Sequence, residues 1–344
     1  MTTEITGCSA PTKKQESKTL IGSPAEVLAA LKDVKTAAIC GHVNPDGDSL
    51  GSSLALAALL EQLGISAIKL LAQDRPSPHI YSFLDNYEFV PAVAYKDVPD
   101  IFFLVDAPSL GRIGDGAEVF KRARRTVVID HHPDYEGAGD IYYGDVKSPA
   151  TGSLIWKIIA ASGVAPTLAM AKACYIAIMT DTGRFSFQNT NAEAFEFAAQ
   201  MIRLGVEPTD VSQRVYENKS LGVVQLESRL VQRMQFLRAG KVAYSWIAEQ
   251  DFNELGIERD DSEGLPTILR SIKGVQVAVL LREEEGSVRV NLRSRSCCDV
   301  GTFARENGGG GHRAAAGITL NMSLEEAIAS FVPKFASMEC IIEA

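Results

Sequence analysis

Seven residues near the start of the chain, His42-Val43-Asn44-Pro45-Asp46-Gly47-Asp48, hold one imidazole and two carboxylates. These are metal-ligand side chains, and their setting suits that use. The apolar run Ala37-Ala38-Ile39-Cys40 before them reads as a buried strand. Asp48 to Leu63 has helical periodicity and is followed by Gly64, a residue suited to a helix C-cap. The three ligands therefore fall in a strand-to-helix turn, where open α/β sheets bind ligands. Asp48 could equally be the residue that caps the helix.

Other apolar runs end the same way. Ile101-Phe102-Phe103-Leu104-Val105 leads into Asp106, and Thr126-Val127-Val128-Ile129 leads into Asp130-His131-His132. A helical stretch over Thr167–Met179 closes in Thr180-Asp181-Thr182-Gly183. Taken together, His42, Asp46, Asp48, Asp106, His131 and Asp181 offer four carboxylates and two imidazoles from four segments. Mixed carboxylate and imidazole ligation suits Mn²⁺, Fe²⁺ or Zn²⁺ better than an all-oxygen Mg²⁺ shell, with Mn²⁺ the first expectation. Two metals bridged by one carboxylate take about six protein ligands, and a separation of roughly 3.5–4 Å lets them clamp an in-line displacement at phosphorus. The ligand count predicts a two-metal hydrolase.

The elements that must hold these groups follow a βαβ order. Runs apolar at successive positions are expected of parallel strands covered on both faces, and helices separate them. Ser23-Pro24 opens a helix ending near Asp33, Ser66–Leu71 is a short strand, and Ala150–Ala161 is a helix. Two or three helical segments run from Ala192 to about Arg238, with Arg229, Arg233 and Arg238 on a charged outer face that bridges two domains. The pattern then changes to strands at Val242–Ile247, Val275–Leu281 and Val288–Leu292, a helix at Ser262–Ile272, and a closing amphipathic helix at Leu324–Ser337. The expected division is a catalytic domain over 20–210, a helical linker over 211–240 and a second domain over 241–344.

Composition narrows the partners. The 344 residues are 46% hydrophobic and 22% charged, ordinary for a folded soluble protein. A net charge of −9 argues against a protein that coats long nucleic acid, which carries a basic face. A small anionic substrate remains compatible, because a metal supplies positive charge locally. The six cysteines form no CxxC pair, so most are expected to be reduced, as in a cytosolic compartment. Residues 1–18 are polar without an apolar core, so no signal peptide is expected, and Leu54–Leu60 is too short to span a bilayer. A cytoplasmic protein with no membrane partner is the expectation.

The set His42-x-x-x-Asp46-x-Asp48, Val105-Asp106, Asp130-His131-His132 and Thr180-Asp181-Thr182-Gly183 resembles the four motifs of the DHH phosphoesterase superfamily, in order. Gly308-Gly309-Gly310-Gly311-His312-Arg313-Ala314-Ala315-Ala316-Gly317 resembles the signature of its accessory DHHA1 domain, and Asn291-Leu292-Arg293-Ser294-Arg295 the basic strand before it. Length and layout are most similar to the nanoRNase-type members, which degrade very short oligoribonucleotides from the 5′ end and dephosphorylate 3′-phosphoadenosine 5′-phosphate (pAp). The resemblance implies an α/β fold of two domains. One is a Rossmann-like DHH domain with a parallel sheet and helices on both faces, the other a smaller α/β DHHA1 domain, with the active site in the cleft between them. It assigns His42, Asp46 and Asp106 to one metal and Asp48, Asp106, His131 and Asp181 to the other. Asp130 then orients an imidazole, and His132 faces the substrate phosphate as a catalytic group. Arg293, Ser294, Arg295, Gly310, Gly311, His312 and Arg313 contact substrate, with no single arginine identified as the phosphate ligand. A homodimer is a family expectation, long duplex nucleic acid is not an expected partner, and linear or cyclic dinucleotides are the alternative substrates. A silent nucleotide sensor would be marked by a missing metal ligand, and none is missing.

Several of these residues also have plainer readings. Arg293 and Arg295 alternate on a strand and could line a solvated face. The four glycines could be a flexible linker. Phe185 and Phe187 suit core packing more than base stacking, Cys40 suits the core, and His79 an ordinary polar position.

Overall fold

Every residue of Ile101–Val105 is fully buried, which requires cover on both faces of its sheet. The computed structural model, which describes residues 19–74, 77–262, 264–295 and 298–338, provides that cover. The chain divides into two units at Pro208 and Thr209.

In the first unit the order is β1 (Leu20–Ile21), α1 (Pro24–Ala29), β2 (Thr36–Cys40), α2 (Gly47–Gln62), β3 (Ser66–Leu71), β4 (Val90–Pro91), β5 (Ile101–Val105), α3 (Gly116–Arg122), β6 (Thr126–Asp130), β7 (Ile141–Gly144), α4 (Thr151–Ala161), α5 (Leu168–Asp181) and α6 (Ala192–Arg203). The strands pair in parallel in the order β1-β7-β6-β5-β2-β3-β4. From β2 the chain proceeds outward through β3 and β4, then returns to the other side of β2 with β5. The switch point therefore lies between β2 and β5, the two strands whose ends carry His42 and Asp106.

The expected strands and helices of this unit are present with small shifts in their ends. The first helix stops at Ala29 rather than near Asp33, whose positive φ of 62° takes the chain out of helical geometry. Strands β1, β4 and β7 were not anticipated, being only two to four residues long.

Helix α2 is buried along nearly its whole length, as befits a helix packed on several sides. Its partners approach closely because small residues face one another. A Cβ on Gly51 would lie 2.5 Å from the carbonyl oxygen of Ala173 in α5, and one on Gly152 of α4 would lie 2.4 Å from Ala177 Cβ. The crossings bring the first turns of α2 and α4 and the last turn of α5 to one place.

The second unit contains α7 (Pro208–Tyr216), α8 (Leu221–Gln232), β8 (Gln235–Leu237), β9 (Val242–Ile247), α9 (Glu249–Leu255), α10 (Pro266–Ser271), β10 (Val277–Glu284), β11 (Ser287–Ser294), α11 (Val300–Glu306), β12 (Gly310–His312) and β13 (Ala315–Leu320). Its sheet runs β12-β13-β11-β10-β9-β8, antiparallel except for β9 with β10. One face packs on α11 and the closing helical turns through Val279, Val290, Ile318 and Phe335. The other packs on α8, α9 and α10 through Ala243, Ala278 and Leu280. The stretch anticipated as a bridging linker contributes Leu226 and Leu230 of α8 to this core, while Arg229 and Arg233 donate to the carboxylate of Asp251 on α9. The closing segment was expected as one helix. It is instead interrupted by a π-helical turn over Ala327–Phe331 just before Pro333, which cannot donate a backbone hydrogen bond.

Among the described residues no helix is long and apolar enough to cross a membrane. Cys40 and Cys174 are free and buried, and burial pushes the Cys40 thiol up to about 12. Cys298 is disulfide-bonded.

Replacing Gly51 by valine should separate α2 from α5. The expected loss in urea unfolding is about 1–3 kcal/mol, the usual range for overpacking a core. An unchanged midpoint would mean the helices yield without strain.

Candidate active site

Strand β2 ends at Cys40, and His42 follows with its Nδ1 2.8 Å from the Val43 carbonyl oxygen. A carbonyl only accepts, so this contact places the proton on Nδ1 and leaves the Nε2 lone pair facing outward. Nε2 lies 3.4 Å from Asp106 Oδ2 and 3.8 Å from Asp46 Oδ1. Asp46 is the N-cap of α2, its Oδ1 accepting from the amides of Asp48 at 3.0 Å and Ser49 at 3.1 Å. That decides the question left open at Asp48: the neighbour caps the helix, and Asp48 lies buried in its first turn.

Asp48 is held by backbone and hydroxyl donors. Its Oδ2 accepts from Thr151 N at 2.8 Å, and its Oδ1 from Gly152 N at 2.9 Å and Ser52 Oγ at 3.0 Å. Thr151 and Gly152 open α4, so the amides and dipole of that helix point at the carboxylate. Asp106 follows β5 with a φ of 57°, a left-handed conformation that Asp tolerates better than most residues. Its amide donates to Ile129 O, and its Oδ1 accepts from Thr151 Oγ1 at 3.0 Å. Asp181, in the last turn of α5, accepts from Asn189 Nδ2 at 2.8 Å.

His131 completes the set. Its Nδ1 is 3.1 Å from Ser148 O, so Nε2 carries the lone pair. That nitrogen stands 3.6 Å from Asp181, 3.7 Å from Asp48 and 3.9 Å from Asp106, close to three carboxylates and beyond ordinary hydrogen-bond reach of each. His132 is arranged differently. Its Nδ1 is 2.7 Å from Asp130 Oδ1, and Asp130 is fully buried.

The ligand atoms fall into three overlapping groups, each within 4.8 Å: His42/Asp46/Asp106, Asp48/His131/Asp181 and Asp106/His131/His132. The first two correspond to the two expected metal sets, apart from the bridging carboxylate in the second. Asp106 belongs to two groups and stands between them. The third group also makes His132 an alternative ligand.

The electrostatics fit a cation. Burial, with the nearby Asp106, Asp181 and Asp46, raises Asp48 well above the usual carboxylate range. Burial likewise pushes Asp181 up to about 6, opposed by His131 and reinforced by Asp46 and Asp106. Asp106 goes the other way, its burial outweighed by His42, His132 and His131, which hold it below the ordinary range. Burial lowers His42, but Asp106 and Asp46 more than offset it and raise it well above the usual imidazole range. Protons thus hold crowded anions and imidazoles together, and divalent ions would do so at higher pH. The lone pairs of His42 and His131 aimed at carboxylates make the same point, since only a cation between them turns repulsion into ligation.

Comparison with known proteins agrees. Residues 36–178 match the DHH family N-terminal domain, ending just short of Asp181, and residues 239–338 match the DHHA1 domain. The bifunctional oligoribonuclease and PAP phosphatase NrnA of Thermus thermophilus is 30% identical over 306 residues, 88% of this chain and 89% of that protein. The chain belongs to the DHH family. The NrnA of Bacillus subtilis is 26% identical, over 86% of this chain and 92% of its own. The fold is shared with an exopolyphosphatase-related protein from Bacteroides fragilis, with a TM-score of 0.83, 24% identity, and coverage of 90% of this chain and 94% of that one. A DHH chain of this kind is a phosphoesterase, a hydrolytic enzyme.

The DHHA1 residues divide. Strand β11 alternates, with Val288, Val290, Leu292 and Ser294 buried and Arg289, Asn291 and Arg293 on the opposite face. Arg293 is half-buried on that opposite face. Ser294 is buried, and its Oγ donates to Cys298 O at 2.7 Å and Arg313 O at 3.3 Å. Its expected substrate contact is corrected to a structural one. Arg295 lies just past the strand, exposed, with Nη2 donating to Arg270 O at 3.1 Å. Gly310 and Gly311 form β12 with His312, and Gly311 has a φ of 135°. A Cβ on Gly311 would meet Ala315 O at 2.6 Å, so this is a packed strand rather than a flexible linker. The role expected of the His312 side chain lies outside the described structure. Arg313 is exposed, and its carbonyl accepts from Val300 N. Phe185 is half-buried between Tyr175 and the exposed Phe195, rather than among the fully buried core side chains.

Thr151, Gly152, Ser52 and Asn189 were missed. Only the run Ser148-Pro149-Ala150-Thr151-Gly152, polar and small at a helix start, could have signalled the anion-binding amides.

Without metal, stability should fall as pH rises. Between about pH 4 and 6 the folded chain keeps a proton on Asp181 that the unfolded chain releases, which removes roughly 3 kcal/mol. The raised His42 and His131 add stability that is complete below the usual imidazole range and lost as pH climbs through their folded values. In EDTA the thermal midpoint should therefore drop from pH 5 to pH 8, and Mn²⁺ should raise it more at pH 8. Equal midpoints at both pH values in EDTA would contradict this.

Proposed function

We propose that the chain is a two-metal phosphodiesterase and phosphatase. It hydrolyses very short oligoribonucleotides to mononucleotides from the 5′ end and removes the 3′-phosphate of pAp. The observation that carries this reading is Asp106, shared by two groups of ligand atoms on the switch point of the sheet. The names of the NrnA relatives support the substrate class. Mixed imidazole and carboxylate donors favour Mn²⁺ over Mg²⁺.

His42, Asp46 and Asp106 would hold one ion, and Asp48, Asp106, His131 and Asp181 the other. When bound, the ions would supply Lewis-acid neutralisation of phosphoryl oxygens and an acidified water. The remaining work belongs to the chain. Val43 O and Ser148 O fix the tautomers of His42 and His131. The α4 amides keep Asp48 aimed inward. Asp130 holds the Nδ1–H of His132, so that His132 exchanges protons at Nε2 and serves the leaving oxygen as general acid. In the second unit, Arg293, Arg295, Arg313 and the backbone of Gly310-Gly311 grip a substrate phosphate, the guanidinium fork matching its oxygens.

Asp106→Asn should lower Mn²⁺-dependent turnover of pAp and of RNA dinucleotides on the order of a thousandfold or more. Initial rates on pAp, a dinucleotide, a cyclic dinucleotide, pyrophosphate and a long RNA should favour the first two. Full activity in the variant would sink the mechanism, and fastest attack on long RNA would sink the substrate assignment.

A further inference from the structure

Thr151 touches two of the expected metal ligands, and it does so through different atoms. Ala150, at the N-cap of α4, has no side chain that could receive the first free amides of the helix. Asp48 receives them instead, from Thr151 N at 2.8 Å and Gly152 N at 2.9 Å. With its backbone held there, Thr151 turns its hydroxyl to Asp106 and donates to Oδ1 at 3.0 Å. Thr151 is fully buried, which keeps bulk water away from that contact.

The two oxygens of Asp106 face different ways. Oδ2 lies 3.4 Å from His42 Nε2, on the side of the His42/Asp46 group. Oδ1 lies 3.9 Å from His131 Nε2, on the side of Asp48 and Asp181. Both Thr151 contacts therefore fall on the second group, the amide on Asp48 and the hydroxyl on the Asp106 oxygen nearer His131. The first group is served from α2, whose Asp48 and Ser49 amides donate to Asp46 Oδ1. The terminal torsion of an aspartate is broad, so a donor on one oxygen decides where the remaining lone pairs of that oxygen point. With the hydroxyl removed, the carboxylate can pivot about the oxygen that faces His42. That movement displaces Oδ1 and leaves Oδ2 in place.

We propose that Thr151 is a positioning residue for one ion of the pair and not for the other. Its hydroxyl aims Asp106 Oδ1 at the ion held by Asp48, His131 and Asp181. The ion held by His42 and Asp46 is served by Oδ2 and is independent of that hydroxyl. This rests on the reading that the site takes two divalent ions.

The test removes one metal group at a time. Mn²⁺ binding is followed by the electron paramagnetic resonance signal of the free ion, with melting temperatures to confirm folding. Wild type should bind two ions, His42→Ala should leave the second group, and Asp181→Asn the first. Thr151→Val keeps the shape of the side chain and the backbone amide on Asp48. Added to His42→Ala, it should weaken the remaining site about tenfold, the low end of what a partner of a metal ligand is worth. Added to Asp181→Asn, it should leave the remaining site unchanged. Thr151→Ser, which keeps the hydroxyl, should bind as wild type does. Equal losses in the two backgrounds, a loss confined to Asp181→Asn, or no loss in either would overturn the proposal. Thr151→Ser as weak as Thr151→Val would overturn it as well, reducing Thr151 to a packing role. A wild type that binds fewer than two ions would instead defeat the two-metal reading on which it rests.

Discussion

Four carboxylates and two imidazoles crowd one site that is buried or partly buried except at the half-exposed Asp46, and much of the first unit exists to make that tolerable. Two like charges about 4 Å apart repel by roughly 4 kcal/mol at the effective dielectric of a partly buried site. Asp46 lies within 4.8 Å of Asp106, and Asp48 within 4.8 Å of Asp181. The chain offsets this with fixed donors: the α2 amides on Asp46, the α4 amides on Asp48, the Thr151 hydroxyl on Asp106 and the Asn189 amide on Asp181. Those donors satisfy individual oxygens without cancelling the net charge. The excess remains, and it is what a pair of divalent ions would neutralise.

Placing the donors demands the packing of α2, α4 and α5. Backbone amides reach Asp48 only if the first turn of α4 comes within hydrogen-bond distance of the first turn of α2. Gly152 lets α4 lie close against α5 at Ala177, and Gly51 lets α2 lie as close to α5 at Ala173, so both first turns converge on that helix. The same small residues bring Asp181, at the end of α5, within 3.6 Å of His131. Core packing and site geometry are therefore one problem here, because a methyl group at a helix crossing would displace Asp48 or Asp181.

Asp106 and His131 were legible in the sequence because they follow directly on buried apolar runs, and His42, Asp46 and Asp48 because they cluster in the turn after another. The parallel sheet was legible for the same reason, from Ile101–Val105 and Thr126–Ile129. The donors that support the ligands were not. A backbone amide such as Gly152 N has no residue-type signature, and Asn189 reaches Asp181 from eight residues further along a loop. The second unit was harder to read. Alternation on β11 correctly set Arg293 outward, but Arg295 had already left the strand, and the hydroxyl of Ser294 was needed by the turn that follows.

His131 and His132 are adjacent and chemically identical, yet their partners give them different work. The Nδ1 of His131 meets a carbonyl oxygen, which turns its lone pair at Nε2 toward three carboxylates, the arrangement of a metal ligand. The Nδ1 of His132 meets the buried carboxylate of Asp130, which keeps that nitrogen protonated whether the ring is neutral or charged. The tautomer of the neutral ring is thereby fixed, with the lone pair on Nε2. Asp130 can do this because it is the last residue of β6, fully buried and fixed by its parallel neighbours. The last residue of that strand thus sets the tautomer of His132, while the next turns its own Nε2 toward carboxylates. Three consecutive side chains are divided between two tasks by the end of a single strand.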